Sequence, residues 1–204
     1  MYLVKTPWWL RQAYPSLTWK IESENNIYLT FDDGPHPTVT SFVLDTLQAY
    51  DAKATFFCIG KNVEANPTLV DRILSEGHTI GNHTHNHLNG WHTDDEAYIQ
   101  DILQARQSIS SNLFRPPYGR ITRFQIKLVT KLFNIIMWDV LSGDFDVSLS
   151  PEACLKNVVS NTSRGSVIVF HDSEKAFPKL KYALPKALEY FKAKGFECKA
   201  IESK

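Results

Sequence analysis

Short apolar segments alternate with longer amphipathic ones along almost all of this 204-residue chain, and the alternation restricts its fold more than any other feature. Segments rich in β-branched and aromatic residues fall at 27–31, 54–59, 78–81, 113–114, 134–138, 166–170 and 196–201, and each reads as a strand. The stretches between them, 37–49, 67–76, 94–111, 122–132, 151–160 and 179–194, carry helical periodicity, and several open on Pro, Asp or Thr. Strand-then-helix repetition predicts a parallel β/α architecture, either an open doubly wound sheet or a barrel. Both place functional residues at the carboxyl ends of the strands. No dinucleotide fingerprint and no phosphate-cradling glycine-rich loop follows any strand, so the expectation is α/β, a distorted (β/α)7 barrel, TIM-barrel-like, in a single domain 1–204. Residues 1–25 are expected to pack on the barrel as an N-terminal extension, Trp8 and Trp9 included.

The carboxyl ends of the predicted strands collect the ionisable residues. Asp32 and Asp33 follow the first, in the run Thr30-Phe31-Asp32-Asp33-Gly34-Pro35. Adjacent carboxylates repel, so a pair fixed at a strand-to-loop junction calls for a compensating cation or for unequal protonation. After the third strand, three histidines, His83, His85 and His87, fall within five residues. His83 and His87 share a side if the chain turns helically, whereas His83 and His85 share one if the strand continues. Asn82 and Asn86, poor strand formers, favour the helical choice. Either pair with Asp33 makes two imidazoles and one carboxylate around an open position, the donor set of hydrolytic zinc enzymes. Arg115-Pro116-Pro117-Tyr118 is stiff, because each proline fixes its own φ and restricts the residue before it. Such a backbone suits a donor aimed at developing negative charge. His171 ends the buried-type strand Val167-Ile168-Val169-Phe170, at a position suited to titration near neutrality.

Composition removes several classes. A formal net charge of zero with unclustered basic residues excludes the electrostatic footprint of a nucleic-acid binder. Cys58, Cys154 and Cys198 are odd in number and far apart, so neither a disulfide framework nor a thiolate metal site is indicated, and all three are expected to be buried. No apolar run approaches the roughly 20 residues of a transmembrane segment. The absence of a cationic leader with an apolar core predicts cytoplasmic residence, envelope association staying open. Nothing in the sequence specifies an oligomeric state.

Taken in order, T-F-D-D-G-P at 30–35, H-T-x-x-H at 83–87, R-P-P-Y-G at 115–119 and the apolar strand ending in His171-Asp172 resemble the polysaccharide deacetylase family. This family is also called the NodB homology domain or carbohydrate esterase family 4. Stretches 53–57 and 76–83 look like it too. The resemblance implies that Asp33, His83 and His87 bind a divalent metal, usually zinc, and that Asp32 is the general base, held ionised by Arg115. It implies that His171 is the general acid, oriented by Asp144, that the Tyr118 backbone N–H joins an oxyanion hole, and that His85 is no ligand. The chain departs from the commonest family pattern at Leu141, where Asp is frequent, and at Phe145, where Trp is frequent. The acyl pocket or sugar platform is therefore expected to differ, with Pro116, Tyr118, Trp138 and Phe145 as candidate substrate-binding residues. Asp139 is a runner-up partner for His171.

The activity so implied is metal-dependent removal of N-acetyl groups from an N-acetylglucosamine-type poly- or oligosaccharide, giving acetate and a free amine. Zinc, cobalt, manganese and nickel all suit the donor set. Two alternatives stand beside it. One is a metal-dependent esterase or amidase on another acyl substrate, since metal, base and acid would serve either bond. The other is a non-catalytic carbohydrate-binding protein on the same fold, which would have lost a ligand or the base.

Overall fold

The computed structural model describes residues 2–203; Met1 and Lys204, the ends of the predicted domain, lie outside the described residues. The first half runs α1 (Trp8–Ala13), β1 (Asn26–Asp32), α2 (Val39–Ala49), β2 (Ala54–Cys58), α3 (Gly60–Ala65), α4 (Pro67–Ser75), β3 (Thr79–Asn82) and α5 (Asp95–Ala105). Then come β4 (Leu113–Phe114), a 3-10 turn (Pro117–Gly119), α6 (Arg123–Val129), β5 (Asn134–Ile135), β6 (Val140–Leu141), α7 (Pro151–Asn161), β7 (Val167–His171), α8 (Phe177–Ala193) and β8 (Glu197–Cys198).

Local chemistry explains the boundaries. The Asp94 carboxylate accepts the N–H groups of Glu96 and Ala97 at the start of α5, and Thr122 and Gln125 form a reciprocal capping box at α6. Pro67 and Pro151 stand in the first turns of α4 and α7, where a missing N–H costs nothing. β1, β2 and β7 are apolar on both faces because helices cover both sides of a parallel sheet. Phe31 stacks with Phe56 and Phe170 at ring-centroid distances of 5.1 and 6.0 Å, joining the three central strands to the buried sides of α2 and α8.

The sheet is parallel in the order β5-β4-β3-β2-β1-β7-β6, a curled (β/α)7 half-barrel, as expected for the class. Its seven strands are not the seven predicted. The segment at 134–138 supplies only β5, β6 was not foreseen, and the segment at 196–201 yields the two-residue β8, which pairs with the start of β1. There β8 is wedged beside β2, with Lys53 N–H on Cys198 O at 2.9 Å and Ile201 N–H on Thr55 Oγ1 at 2.8 Å.

β5 and β6 do not pair with each other; the N-terminal arm bridges the seam between them. Met137 N–H donates to Thr18 O at 2.7 Å on the β5 side, and Leu141 N–H donates to Val4 O at 2.8 Å on the β6 side. The clamp is Asp139, wholly buried, which takes Lys5 Nζ at 2.6 Å, Arg11 Nη2 and the Ser166 hydroxyl. Asp139 is thus an anchor for the arm and no partner of His171, correcting the runner-up expectation. Trp8 and Trp9 do not pack on the body: they are 70% and 53% exposed, on a helix none of whose residues is buried. Cys58 and Cys154 are buried, Cys198 only partly. Among the described residues no helix is long and apolar enough to cross a membrane.

Candidate active site

β1 delivers Asp32 and Asp33 to the rim and the backbone then separates them. Asp33 takes φ 83°, which turns its side chain away from Asp32. The turn rests on Asp172, fully buried, whose carboxylate accepts the Gly34 N–H at 3.0 Å and the Thr40 hydroxyl. A Cβ on residue 34 would stand 1.9 Å from Asp172 Oδ2, so glycine is required there. Burial, with added repulsion from Asp33, pushes Asp172 up to about 7.

The loop after β3 brings His83 and His87 together beside Asp33 without a helix, so the helical reading fails for the backbone. Thr84 and His87 take left-handed φ values of 62° and 59°. Asp101, on the buried side of α5, holds the loop by accepting the N–H groups of His85 and Asn86 at 2.8 and 2.9 Å and the Asn86 amide at 2.6 Å. His87 Nε2 then lies 3.2 Å and His83 Nε2 3.8 Å from Asp33 Oδ1. Ligand atoms of Asp33, His83 and His87 all fall within 4.8 Å of one another. His85 is buried elsewhere, its Nδ1 3.8 Å from Glu64.

These residues fit a divalent cation. His83 Nδ1 lies 2.8 Å from Arg115 O, which places the proton on Nδ1 and leaves the Nε2 lone pair free. Burial holds His83 down to about 4, so the ring is neutral at pH 7. Burial alone would raise Asp33, but the His87 hydrogen bond and the neighbouring histidines hold it well below the usual carboxylate range. A neutral imidazole at His83 and an ionised carboxylate at Asp33 are the forms that cation binding requires.

Arg115, also fully buried, carries the next layer. Its Nη1 meets Asp32 Oδ1 at 2.7 Å and Thr30 Oγ1 at 2.6 Å, Nε meets Ile136 O and Nη2 meets Met137 O, both at 3.0 Å. The guanidinium lies 4.1 Å from the Phe57 ring centroid. In the 3-10 turn that follows, Tyr118 takes φ 60°, and its N–H makes no hydrogen bond among the described residues. The Tyr118 ring is exposed and sits 4.7 Å from that of His87. Pro116 is buried and is not among the residues bordering the cleft; its carbonyl accepts the Gly119 N–H at 3.0 Å, so it shapes the turn.

Across the cleft, Asp144 accepts both the His171 ring, Nδ1 to Oδ1 at 2.8 Å, and the His171 backbone N–H at 2.7 Å. Asp32, Asp33, His83, His87, Tyr118, Trp138, Phe145 and His171 all border one cavity of about 460 Å³. Burial works against charge on His171, but Asp144, aided by Asp33 and Asp32, outweighs it and lifts the imidazole to about 9. NMR titration of the metal-free protein is expected to show His171 losing its proton near pH 9, and Asp144→Asn is expected to move that midpoint down. Since the folded value exceeds the ordinary 6.5, the pair's stabilisation is complete below pH 6.5 and lost as pH rises through about 9. A midpoint at 6.5 or below in the unmodified protein would contradict this.

Thr30, Asp101 and Asp172 had no assigned part in the sequence reading. Asp101 did leave a signal, an acid inside the apolar stripe of Tyr98, Ile102 and Ala105. Asp172 was noted at the rim but without a role.

A curled parallel half-barrel with an acid–imidazole cluster at its carboxyl rim defines a class of carbohydrate esterases. The polysaccharide deacetylase family model matches residues 20–132, and the chain belongs to that family. It is 37% identical over 188 residues to a peptidoglycan-N-acetylglucosamine deacetylase of Bacillus cereus, covering 88% of each chain. It is 32% identical over 159 residues to a chitooligosaccharide deacetylase of Azorhizobium caulinodans, covering 74% of this chain and 75% of the other. The solved Bc1960 peptidoglycan N-acetylglucosamine deacetylase, in complex with 4-naphthalen-1-yl-N-oxidanyl-benzamide, superimposes with a TM-score of 0.87 at 32% identity, over 96% of this chain and 95% of that one.

Proposed function

We propose that this protein is a zinc-dependent N-deacetylase that hydrolyses the acetamide of N-acetylglucosamine residues in a poly- or oligosaccharide, releasing acetate and a free amine. The observation that carries the reading is the pairing of Asp32 with Arg115 and of His171 with Asp144 on a cleft that also holds the Asp33–His83–His87 cluster. The relatives' activities support it, and so does the hydroxamate bound by the Bc1960 relative, a chelating group.

Asp33, His83 and His87 are the residues that would hold the cation. When bound, it supplies Lewis acidity, lowering the pKa of a water toward about 7 and polarising the acyl carbonyl. Asp32 accepts the proton of the attacking water, and the buried guanidinium of Arg115, 2.7 Å away, fixes the orientation of its carboxyl group. The unengaged Tyr118 N–H donates to the oxygen on which negative charge develops. His171, protonated through Asp144, donates to the departing nitrogen, without which the amine is a poor leaving group.

A substrate panel tests the reaction class. N-acetylated chitooligosaccharides and peptidoglycan fragments are expected to yield acetate and titratable amine in equal amounts, while O-acetylated xylan or simple acetyl esters are cleaved at least about tenfold less efficiently. A reversed preference would assign the site to ester hydrolysis.

A further inference from the structure

We infer that the acyl pocket continues into an apolar cavity built by the N-terminal arm, so that the enzyme also hydrolyses amino-sugar amides whose acyl chain is longer than acetyl. This rests on the deacetylase reading above and extends its substrate class.

A cavity of about 480 Å³ lies beside the catalytic cleft and shares four residues with it, Tyr2, Tyr118, Trp138 and Leu141. Its volume is in the range of sites that enclose a small ligand. Leu10, Leu17 and Trp19 of the arm line it together with Ile121, Ile126 and Met137. No charged or carboxamide side chain borders it. Most of the polar side-chain atoms that do are turned to protein acceptors, Tyr2 Oη to Asp146 Oδ2 at 3.0 Å, Thr6 Oγ1 to Trp138 O at 2.7 Å, and Trp19 Nε1 to Tyr14 O and Trp91 Nε1 to Ile121 O, both at 3.2 Å, which leaves the hydroxyls of Tyr14 and Tyr118. A saccharide unit, which needs hydrogen-bond partners for its hydroxyls, finds few here. A hydrocarbon chain needs none.

Orientation in the cleft selects the acyl chain as the occupant. The leaving nitrogen must face His171, and the carbonyl oxygen must face the Tyr118 N–H. The remaining substituent of the acyl carbon then points away from His171, toward the Tyr118, Trp138 and Leu141 walls. His171, Phe145, Ser173 and Lys175 border the catalytic cleft but not the apolar cavity. Leu3 and Trp91, which line the cavity but not the catalytic cleft, are 54% and 61% exposed, so the cavity opens to solvent there and a long chain is not blocked. The chemistry is unchanged: the water oxygen forms the new C–O bond, the amide C–N bond breaks, and a fatty acid and an amine leave.

The test compares amine release from chitobiose N-acylated with acetyl, butanoyl, hexanoyl or octanoyl groups, using zinc-loaded protein and its Leu3→Asp variant. We expect the octanoyl substrate to retain at least a tenth of the acetyl kcat/KM, and the octanoyl-to-acetyl ratio to fall at least fivefold in Leu3→Asp. A ratio below a tenth, or one indifferent to Leu3→Asp, overturns the inference while leaving the deacetylase reading intact. Binding of octanoate against acetate, followed by tryptophan fluorescence, decides the cavity independently of turnover. Octanoate at least tenfold tighter, with the advantage lost in Leu3→Asp, supports it, and equal affinities overturn it. If acetyl chitobiose is not hydrolysed, the deacetylase reading fails and this binding result still judges the cavity.

Discussion

Asp32→Asn is expected to lower kcat for acetate release by about 10³-fold, within the range of about 10²–10⁴ associated with a positioned general base. The substitution is close to isosteric and retains an acceptor oxygen for Arg115 Nη1, now 2.7 Å from Oδ1. It removes the basicity that draws a proton from the attacking water. Asp33, His83 and His87 are untouched, so metal stoichiometry should be unchanged, and thermal melting establishes that the assayed protein is folded. Arg115 loses a charged partner but keeps Ile136 O, Met137 O and Thr30 Oγ1. Activity within tenfold of the unmodified enzyme, with metal bound, would give the base role to another group.

Arg115→Met is expected to cost about 3–5 kcal/mol of folding stability, because it strands the carboxylate of Asp32 at 4% exposure without its counter-ion. Two backbone carbonyls lose their donors at the same time. Arg115→Lys should recover little of this, since one ammonium cannot span a carboxylate, a hydroxyl and the carbonyls of Ile136 and Met137 in the geometry that the planar guanidinium provides. Urea unfolding measures the loss. A cost below about 1 kcal/mol would mean that the Asp32 carboxylate is adequately solvated without Arg115, and the account of the two as a buried ion pair would fail.

The rim was legible because strand-end chemistry is local. A continuous apolar run such as 167–170 reads as a buried strand, so the residue that follows it, His171, emerges at the carboxyl edge of the sheet. The same reasoning placed Asp32 and Arg115, and the family resemblance paired them as the structure does. The closure of the barrel was not legible. β5 and β6 are two residues each, and what joins them is an arm more than 100 residues away in sequence, tied by the buried ion cluster at Asp139. The loop carrying His83 and His87 was misread for a related reason. Its path depends on Asp101, a long-range acceptor for three donors, and on left-handed φ at His87 and at Thr84, a β-branched residue that does not advertise such a conformation. Trp8 and Trp9 were expected to pack against the body, whereas no residue of α1 is buried and both rings stand exposed.

The most direct test is acetate release from N-acetylglucosamine oligomers by protein stripped of metal, assayed before and after one equivalent of zinc, beside a His83→Ala variant. The expected result is no release before addition, restoration by zinc in the unmodified protein, and failure of zinc to restore the variant. Release by the stripped protein, or full restoration of His83→Ala, would contradict the assignment of Asp33, His83 and His87 as the metal site.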